Sequence, residues 1–141
     1  MRRQKAALTR RLQSQYNAIL AGDASAYQHW VPPGYNRPGQ PPVQGYGYGY
    51  RNEWVAYVFA KQWGGRKGVD IKRLQLIALH SDNAECAISF ARDIQGANVK
   101  RFQSIVLQHG SAGQMRRFAE IPGANRMWLE NMAIVAEVMS M

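Results

Sequence analysis

The chain has 141 residues with 46% apolar side chains, which fits one soluble globular domain that can bury a core without disulfide or metal staples. A single cysteine excludes an internal disulfide, and the absence of any run of about 18 apolar residues excludes a membrane-spanning helix. The net charge of +9 indicates a polyanion, an acidic protein or an anionic lipid surface as partner. We expect no cofactor, no metal, and a location in the cytoplasm of a bacterium or phage-infected cell, or in a virus particle.

Residues 1–22 predict a basic amphipathic helix, because apolar residues recur there at spacings of three and four. Gly22 followed by Asp23 indicates where this helix ends. The segment has five basic residues and no acidic one, and these are Arg2, Arg3, Lys5, Arg10 and Arg11. Two interpretations stay open: a helix that docks on the protein with its cations in solvent, or an arm that binds a polyanion or a membrane surface.

Residues 23–52 predict an extended arm or linker, because five of the six prolines lie in this segment and exclude a helix. An alternation of glycine and tyrosine places Tyr46, Tyr48 and Tyr50 on one side of an extended chain, next to Arg51. Such a ladder can stack on bases or bind a groove of a neighbouring protein. It can equally pin the segment to the protein's own surface.

Residues 53–141 predict a domain of helix–turn–helix repeats. The stretch Phe-Ala-Arg-Asp-Ile-Gln-Gly-Ala-Asn at 90–98 returns as Phe-Ala-Glu-Ile-Pro-Gly-Ala-Asn at 118–125, and an earlier copy with an insertion begins at Phe59. A unit of this size cannot bury its faces alone, so we expect an all-α fold in which stacked repeats form a small array. The N-terminal helix or the arm would then cover one end of that array.

Each predicted unit has its own stop and start signals. The first helix is predicted to end at a glycine in the left-handed conformation, and the second to begin after an Asp or Asn N-cap. The glycines are Gly68, Gly96 and Gly123, and the caps are Asp70, Asn98 and Asn125. Asp82 and Ser111 have capping-box form for two of the first helices. The predicted core residues are Phe59, Phe90, Phe102, Phe118, Trp128 and Leu129.

The repeated Phe-Ala-Arg-Asp-Ile-x-Gly-Ala-Asn unit resembles the short tandem helical repeats of bacterial and bacteriophage proteins that mostly have no assigned function. The resemblance covers about residues 57–135. It implies an αα-array that serves as an interaction scaffold, and it implies no catalytic residue. The first copy departs from the pattern through its insertion, and the third has Arg126-Met127 where the others have Lys-Arg.

The Lys-Arg pairs are the clearest functional signal in the repeats. They are Lys72-Arg73 and Lys100-Arg101, each standing second and third after its cap, and Arg126 lies near the matching place in the third copy. Cations in the first turn of a helix oppose the macrodipole by about 0.3–1 kcal/mol each, so a compensating anion is indicated. Stacking would align the pairs in a ridge, and Arg66-Lys67 in the glycine-rich insertion would add an anion-binding loop. Alternatively, the pairs are solvated residues inherited with a copied repeat.

No catalytic signature occurs, and the closeness of His80, Asp82 and Cys86 in sequence does not establish a nucleophile with its base. The sequence therefore predicts a non-enzymatic protein that contacts a polyanion, foremost a nucleic-acid backbone, through the basic arm and the Lys-Arg ridge. The alternative is a structural or assembly protein of a large complex such as a virus particle. In that case residues 30–52 would bind a protein partner or mediate self-assembly by wrapping a neighbouring subunit.

Overall fold

The computed structural model describes residues 6–23 and 52–140, and within these ranges every regular element is an α-helix. The helices are α1 Arg10–Leu20, α2 Asn52–Trp63, α3 Ile71–Leu79, α4 Ala84–Asp93, α5 Val99–His109, α6 Ala112–Ala119 and α7 Arg126–Met139. The predicted all-α class is therefore confirmed. Residues 24–51 of the predicted arm, with Tyr46, Tyr48, Tyr50 and Arg51, lie outside the described residues, as do Arg2, Arg3 and Lys5, and Asn52 belongs to α2.

The chain forms two compact units, residues 1–77 and residues 78–141, and the boundary falls within α3. The first unit contains α1, α2 and most of α3, and the second contains α4 to α7. The division thus lies inside the segment 53–141 that the sequence predicted to be one helical domain.

In the first unit, α1 packs on α2. The hydroxyl oxygen of Thr9 accepts a hydrogen bond from the N–H of Leu12, so α1 begins at Arg10 and covers only the second half of the predicted segment. Tyr16 and Ile19 are 3% and 1% exposed, and the Tyr16 ring stacks on Phe59 with the ring centroids 5.4 Å apart. The apolar stripe of α1 therefore belongs to the core of this unit.

The second unit is built around three phenylalanines. Phe90, Phe102 and Phe118 are fully buried, and the rings of Phe90 and Phe102 stack at 5.1 Å. Leu129 is fully buried as well, whereas Trp128 is 52% exposed. The prediction of Trp128 as a core residue is therefore wrong, because successive residues of a helix point about 100° apart and α7 turns its Leu129 side inward.

The three predicted glycines have the left-handed conformation, with φ of 91°, 89° and 92° at Gly68, Gly96 and Gly123. They were predicted to follow directly after the first helix of each repeat. That position is wrong, because each glycine lies three to five residues beyond the end of α2, α4 or α6. Each is instead the third residue of a four-residue turn closed by a backbone hydrogen bond, as in a type II turn. Two of these turns begin at Ile94 and Ile121, whose buried side chains draw the chain back to the core and end α4 and α6 early.

The predicted caps of the second helices are confirmed. The side chains of Asn98 and Asn125 accept hydrogen bonds from the backbone N–H groups of Arg101 and Trp128, each at 3.2 Å. Asp70 accepts from the N–H of Lys72 at 2.9 Å. Each cap follows its turn glycine by two residues, so the three stretches share one local geometry.

The capping box at Ser111 is confirmed, since Ser111 and Gln114 exchange side chain to backbone hydrogen bonds. The one at Asp82 is wrong by one residue. Asp82 has a φ of 57°, and Asn83 caps α4 by accepting from the N–H of Cys86 at 3.1 Å. An N-cap residue has an extended backbone, which Asn83 has with φ of −89° and ψ of 103° and the left-handed Asp82 has not.

Candidate anion-binding surface

The net charge of the protein lies entirely in the first unit. Residues 1–77 contain twelve basic and three acidic residues, and residues 78–141 contain six of each. The composition of the chain changes near residues 22 and 52, and neither of these positions separates the positively charged part from the neutral part. The described residues of the first unit, 6–23 and 52–77, contain seven basic and three acidic residues, which gives this part of the chain a positive field.

Backbone contacts bring the start of α1 next to the start of α3. The N–H of Lys67 donates to the carbonyl of Ala6 at 3.3 Å, and residues 7 and 67 form an isolated parallel bridge. Further along both segments, the N–H of Asp70 donates to the hydroxyl of Tyr16 at 2.8 Å. The chain through α1 therefore runs alongside the loop that leads into α3.

These contacts bring together the segments that carry six of the predicted cations, and we call this group of cations the basic surface. Its members are Arg10, Arg11, Arg66, Lys67, Lys72 and Arg73. All except Arg66 are exposed, and they form no ion pair with any described residue. The Arg66 guanidinium lies 5.2 Å from the centroid of the Trp63 ring.

The acidic residue at this surface is Asp70, and its carboxylate is engaged in the first turn of α3. It accepts the hydrogen bond from the backbone N–H of Lys72 and so acts as the helix cap. One carboxylate is set against six cations at this place. The surface therefore keeps a large positive excess that an external anion can neutralise.

Arg10 and Arg11 occupy the first turn of a helix, which the sequence alone did not reveal. They were expected in the middle of a helix over residues 1–22, whereas α1 begins at Arg10. Thr9, a favourable N-cap residue directly before them, was the available signal. Two helices of the first unit thus begin with a basic pair and no acidic residue in the first turn, an arrangement that the macrodipole opposes.

Lys100 and Arg101 are placed as predicted, exposed and in the first turn of α5, but they belong to the second unit. They form no ion pair with any described residue. Arg126 differs, because it forms an ion pair with Glu130 one turn later in α7, at 3.0 Å. Its charge is thereby balanced locally.

The other arginines of the second unit are paired as well. Arg92 contacts Asp93 at 2.8 Å, and the two remaining pairs join different helices: Arg116 with Glu137, and Arg117 with Glu85. Four of the six basic residues in this unit therefore have a carboxylate partner. The basic surface of the first unit has no such compensation among the described residues.

The sequence cluster of His80, Asp82 and Cys86 does not form a catalytic arrangement. Cys86 is fully buried, as expected for a core residue. The Asp82 carboxylate lies 3.4 Å from Nε2 of His109, and His80 is exposed. Among the described residues, no group of three or more potential metal ligands occurs.

Within residues 6–23 and 52–140, no helix combines the length and the hydropathy needed to span a bilayer.

The resemblance to tandem helical repeats stays a prediction. No family model, no curated protein and no solved structure matches this chain.

Proposed function

We propose that this is a non-enzymatic protein that binds a nucleic-acid backbone through the basic surface of its first unit. The observation that carries the proposal is the division of charge. The first unit holds the whole net charge and leaves its basic surface without ion pairs to described residues, whereas the second unit pairs four of its five arginines with carboxylates. Because these cations have no ion pairs to break, they can neutralise phosphates and release the counterions of a polyanion without losing existing contacts.

The chemistry of the basic surface favours phosphate. In α1 the backbone N–H groups of Arg10 and Arg11 have no partner among the described residues, so they can donate to phosphate oxygens and add to the attraction of the side-chain cations. Contacts of this kind fix the position of a nucleic acid and carry little sequence information. The proposed binding is therefore strong at low salt and nearly independent of sequence.

The proposal also includes the repeat organisation and the N-terminal extension of the surface. The matching turns and caps at 66–70, 94–98 and 121–125 support an array of helix–turn–helix repeats. Arg2, Arg3 and Lys5 precede α1 in sequence and would enlarge the same surface. Tyr46, Tyr48 and Tyr50 are proposed to stack on bases.

Fluorescence anisotropy of labelled single- and double-stranded oligonucleotides, titrated at several salt concentrations, tests the function. We expect log affinity to fall linearly with log salt, with a slope of about −0.9 for each phosphate neutralised on duplex DNA. The variant R10Q/R11Q should weaken binding to every sequence, and the slope should become shallower by about one for each phosphate that is no longer neutralised.

The matched control is R92Q/R126Q, which removes two exposed arginines from the second unit, each paired with a carboxylate close in sequence. It lowers the net charge by the same amount and should leave affinity nearly unchanged. Equal losses of affinity in the two variants would contradict binding at the basic surface of the first unit. No binding at low salt would reject the nucleic-acid function altogether.

The second candidate is the structural or assembly protein of a large complex, with a place in a virus particle. The observation that favours it is an exposed apolar face on α7. The two candidates differ in what they require. Nucleic-acid binding requires the cations of the first unit, whereas assembly requires the apolar residues of the second.

A further inference from the structure

Helix α7 has a large apolar face that no described part of its unit covers. The face, which we call the α7 stripe, consists of six side chains that are each 48–80% exposed. They are Met127, Trp128, Ile134, Val135, Val138 and Met139. Single exposed apolar residues are common on protein surfaces, but six on one helix form a contiguous patch.

The helical geometry separates the stripe from the rest of α7. At about 100° per residue, the six side chains fall within an arc of about 140°. Leu129 and Ala133 are buried on a second face, and three charged residues lie on a third. The charged residues are paired within the unit, Arg126 with Glu130 and Glu137 with Arg116. The stripe itself therefore contains no charge, and the charges of its own helix are already balanced.

We propose that the α7 stripe binds the same stripe of a second copy of this protein around a twofold axis. Met127, Asn131, Ile134 and Val138 follow one another at spacings of four, three and four, the pattern of a coiled-coil seam. The exposed Asn131 is the one polar residue in this seam.

Asn131 points to a second copy as the occupant. In a twofold contact centred on Asn131, the two amides face each other, and each provides both a donor and an acceptor. A single asparagine within an apolar seam is a known means of selecting a dimer and its register. A purely apolar surface of another protein would leave this amide without hydrogen-bond partners, which opposes binding.

The exposed area of the α7 stripe and the net charge of the second unit both suit a contact between two copies. The six side chains expose on the order of 700 Å² together, close to the roughly 800 Å² that each partner contributes to an interface of standard size. The second unit has no net charge, so two copies do not repel each other there. A contact made through the first unit, which has a net charge of +9, would be opposed by repulsion between the two copies.

The test is the molar mass of the full-length protein in solution without nucleic acid, measured by light scattering after gel filtration across a range of protein concentrations. We expect the mass to rise from the monomer value of 15.9 kDa to twice that value. The variant I134K/V138K places two lysines on the stripe and should remain a monomer. Both positions are exposed, and circular dichroism checks that the helices are retained.

The matched control is S104K/Q108K, which adds the same two charges at the same spacing on the exposed side of α5. It should dimerise like the natural chain. In N131D, two carboxylates would meet at the axis, so the dimer should dissociate at neutral pH and return when the carboxylates are protonated.

A natural chain that stays monomeric at high concentration would overturn the proposal, as would a stripe variant that dimerises as well as the control. An unchanged dimer in N131D would also overturn it. None of these results depends on nucleic-acid binding, which relies on cations of the first unit. The two proposals can therefore fail separately.

Discussion

Two buried polar side chains show how individual residues hold the turns of this protein in place. Gln103 in α5 is 6% exposed, and its Oε1 accepts a hydrogen bond from the backbone N–H of Asn125 at 2.7 Å. Tyr16 makes the corresponding contact in the first unit, where its hydroxyl accepts from the N–H of Asp70. In each unit a preceding helix supplies the partner for the backbone N–H of a cap residue.

We expect Gln103→Leu to lower the free energy of unfolding by about 1–3 kcal/mol, because the N–H of Asn125 loses its acceptor while staying partly buried. Urea denaturation monitored by circular dichroism measures the change. Gln108→Leu on the exposed side of the same helix is the control and should change stability by less than about 0.5 kcal/mol. Similar losses of stability in both variants would contradict the assigned role.

Glu85 gives the second unit a pH-dependent contribution to stability. The hydrogen bond from Arg117 lowers the pKa of the Glu85 carboxyl below its ordinary value, burial acts in the opposite direction, and a hydrogen bond from Gln114 lowers it further. A lowered pKa in the folded state stabilises the protein above the unfolded pKa. This contribution is lost as the pH falls through the folded pKa.

We expect the stability difference between the natural chain and Arg117→Gln to be largest at neutral pH and to shrink as the pH falls below about 5. Urea denaturation at a series of pH values provides the measurement. Arg101→Gln serves as a comparison, since Arg101 is exposed and forms no ion pair with any described residue. A difference that stays constant down to strongly acidic pH would exclude the Glu85 contact as its source.

At the scale of elements, the signals that act within four residues predicted the helix starts well. Asn98, Asn125 and Ser111 cap helices as expected, because a side chain and the N–H it satisfies are only three positions apart. The helix ends were predicted less well. Ile94 leaves α4 for the core before Gly96 is reached, and the burial of an isoleucine is decided by residues far along the chain.

The Asn98 cap matters because α5 begins with Lys100 and Arg101, which the macrodipole opposes. We expect Asn98→Ala to lower the free energy of unfolding by about 1 kcal/mol. Asn98→Asp keeps the acceptor and adds a negative charge at the helix start, so it should be at least as stable as the natural chain. Thermal or urea denaturation compares the two. An aspartate variant as unstable as the alanine variant would refute the cap.

At the scale of the whole molecule, the two Lys-Arg pairs offer a comparison that the chain itself provides. Lys72-Arg73 and Lys100-Arg101 have the same position after their caps, and all four residues are exposed. They differ in the unit that carries them, one with the whole net charge and one with none. Any difference in their effect on binding therefore measures the surrounding field.

We expect K72Q/R73Q to reduce the affinity for an oligonucleotide more than K100Q/R101Q does. The salt slope should become shallower by about two in K72Q/R73Q and by less in K100Q/R101Q. Anisotropy titrations of both variants at several salt concentrations provide the measurement. Equal effects would favour the alternative of a ridge that spans both pairs. A larger effect of K100Q/R101Q would contradict the assignment of binding to the first unit.

The sequence by itself determined the all-α class, the caps of the second helices, the left-handed glycines and all four core phenylalanines, because these follow from interactions within a few residues and from helical periodicity. It also identified all six cations of the basic surface. It could not show that Trp128 is exposed, because periodicity reveals an apolar face without showing whether anything covers it.

The tertiary structure decided which charges are balanced and which are available. Glu85 and Arg117 are 32 residues apart in sequence and pair in the folded unit, whereas Arg10 and Lys72 come to one surface without carboxylate partners among the described residues. Ion pairing depends on distances of a few ångströms in space, which the order of residues along the chain does not encode. The location of the candidate surface in the first unit follows from that difference.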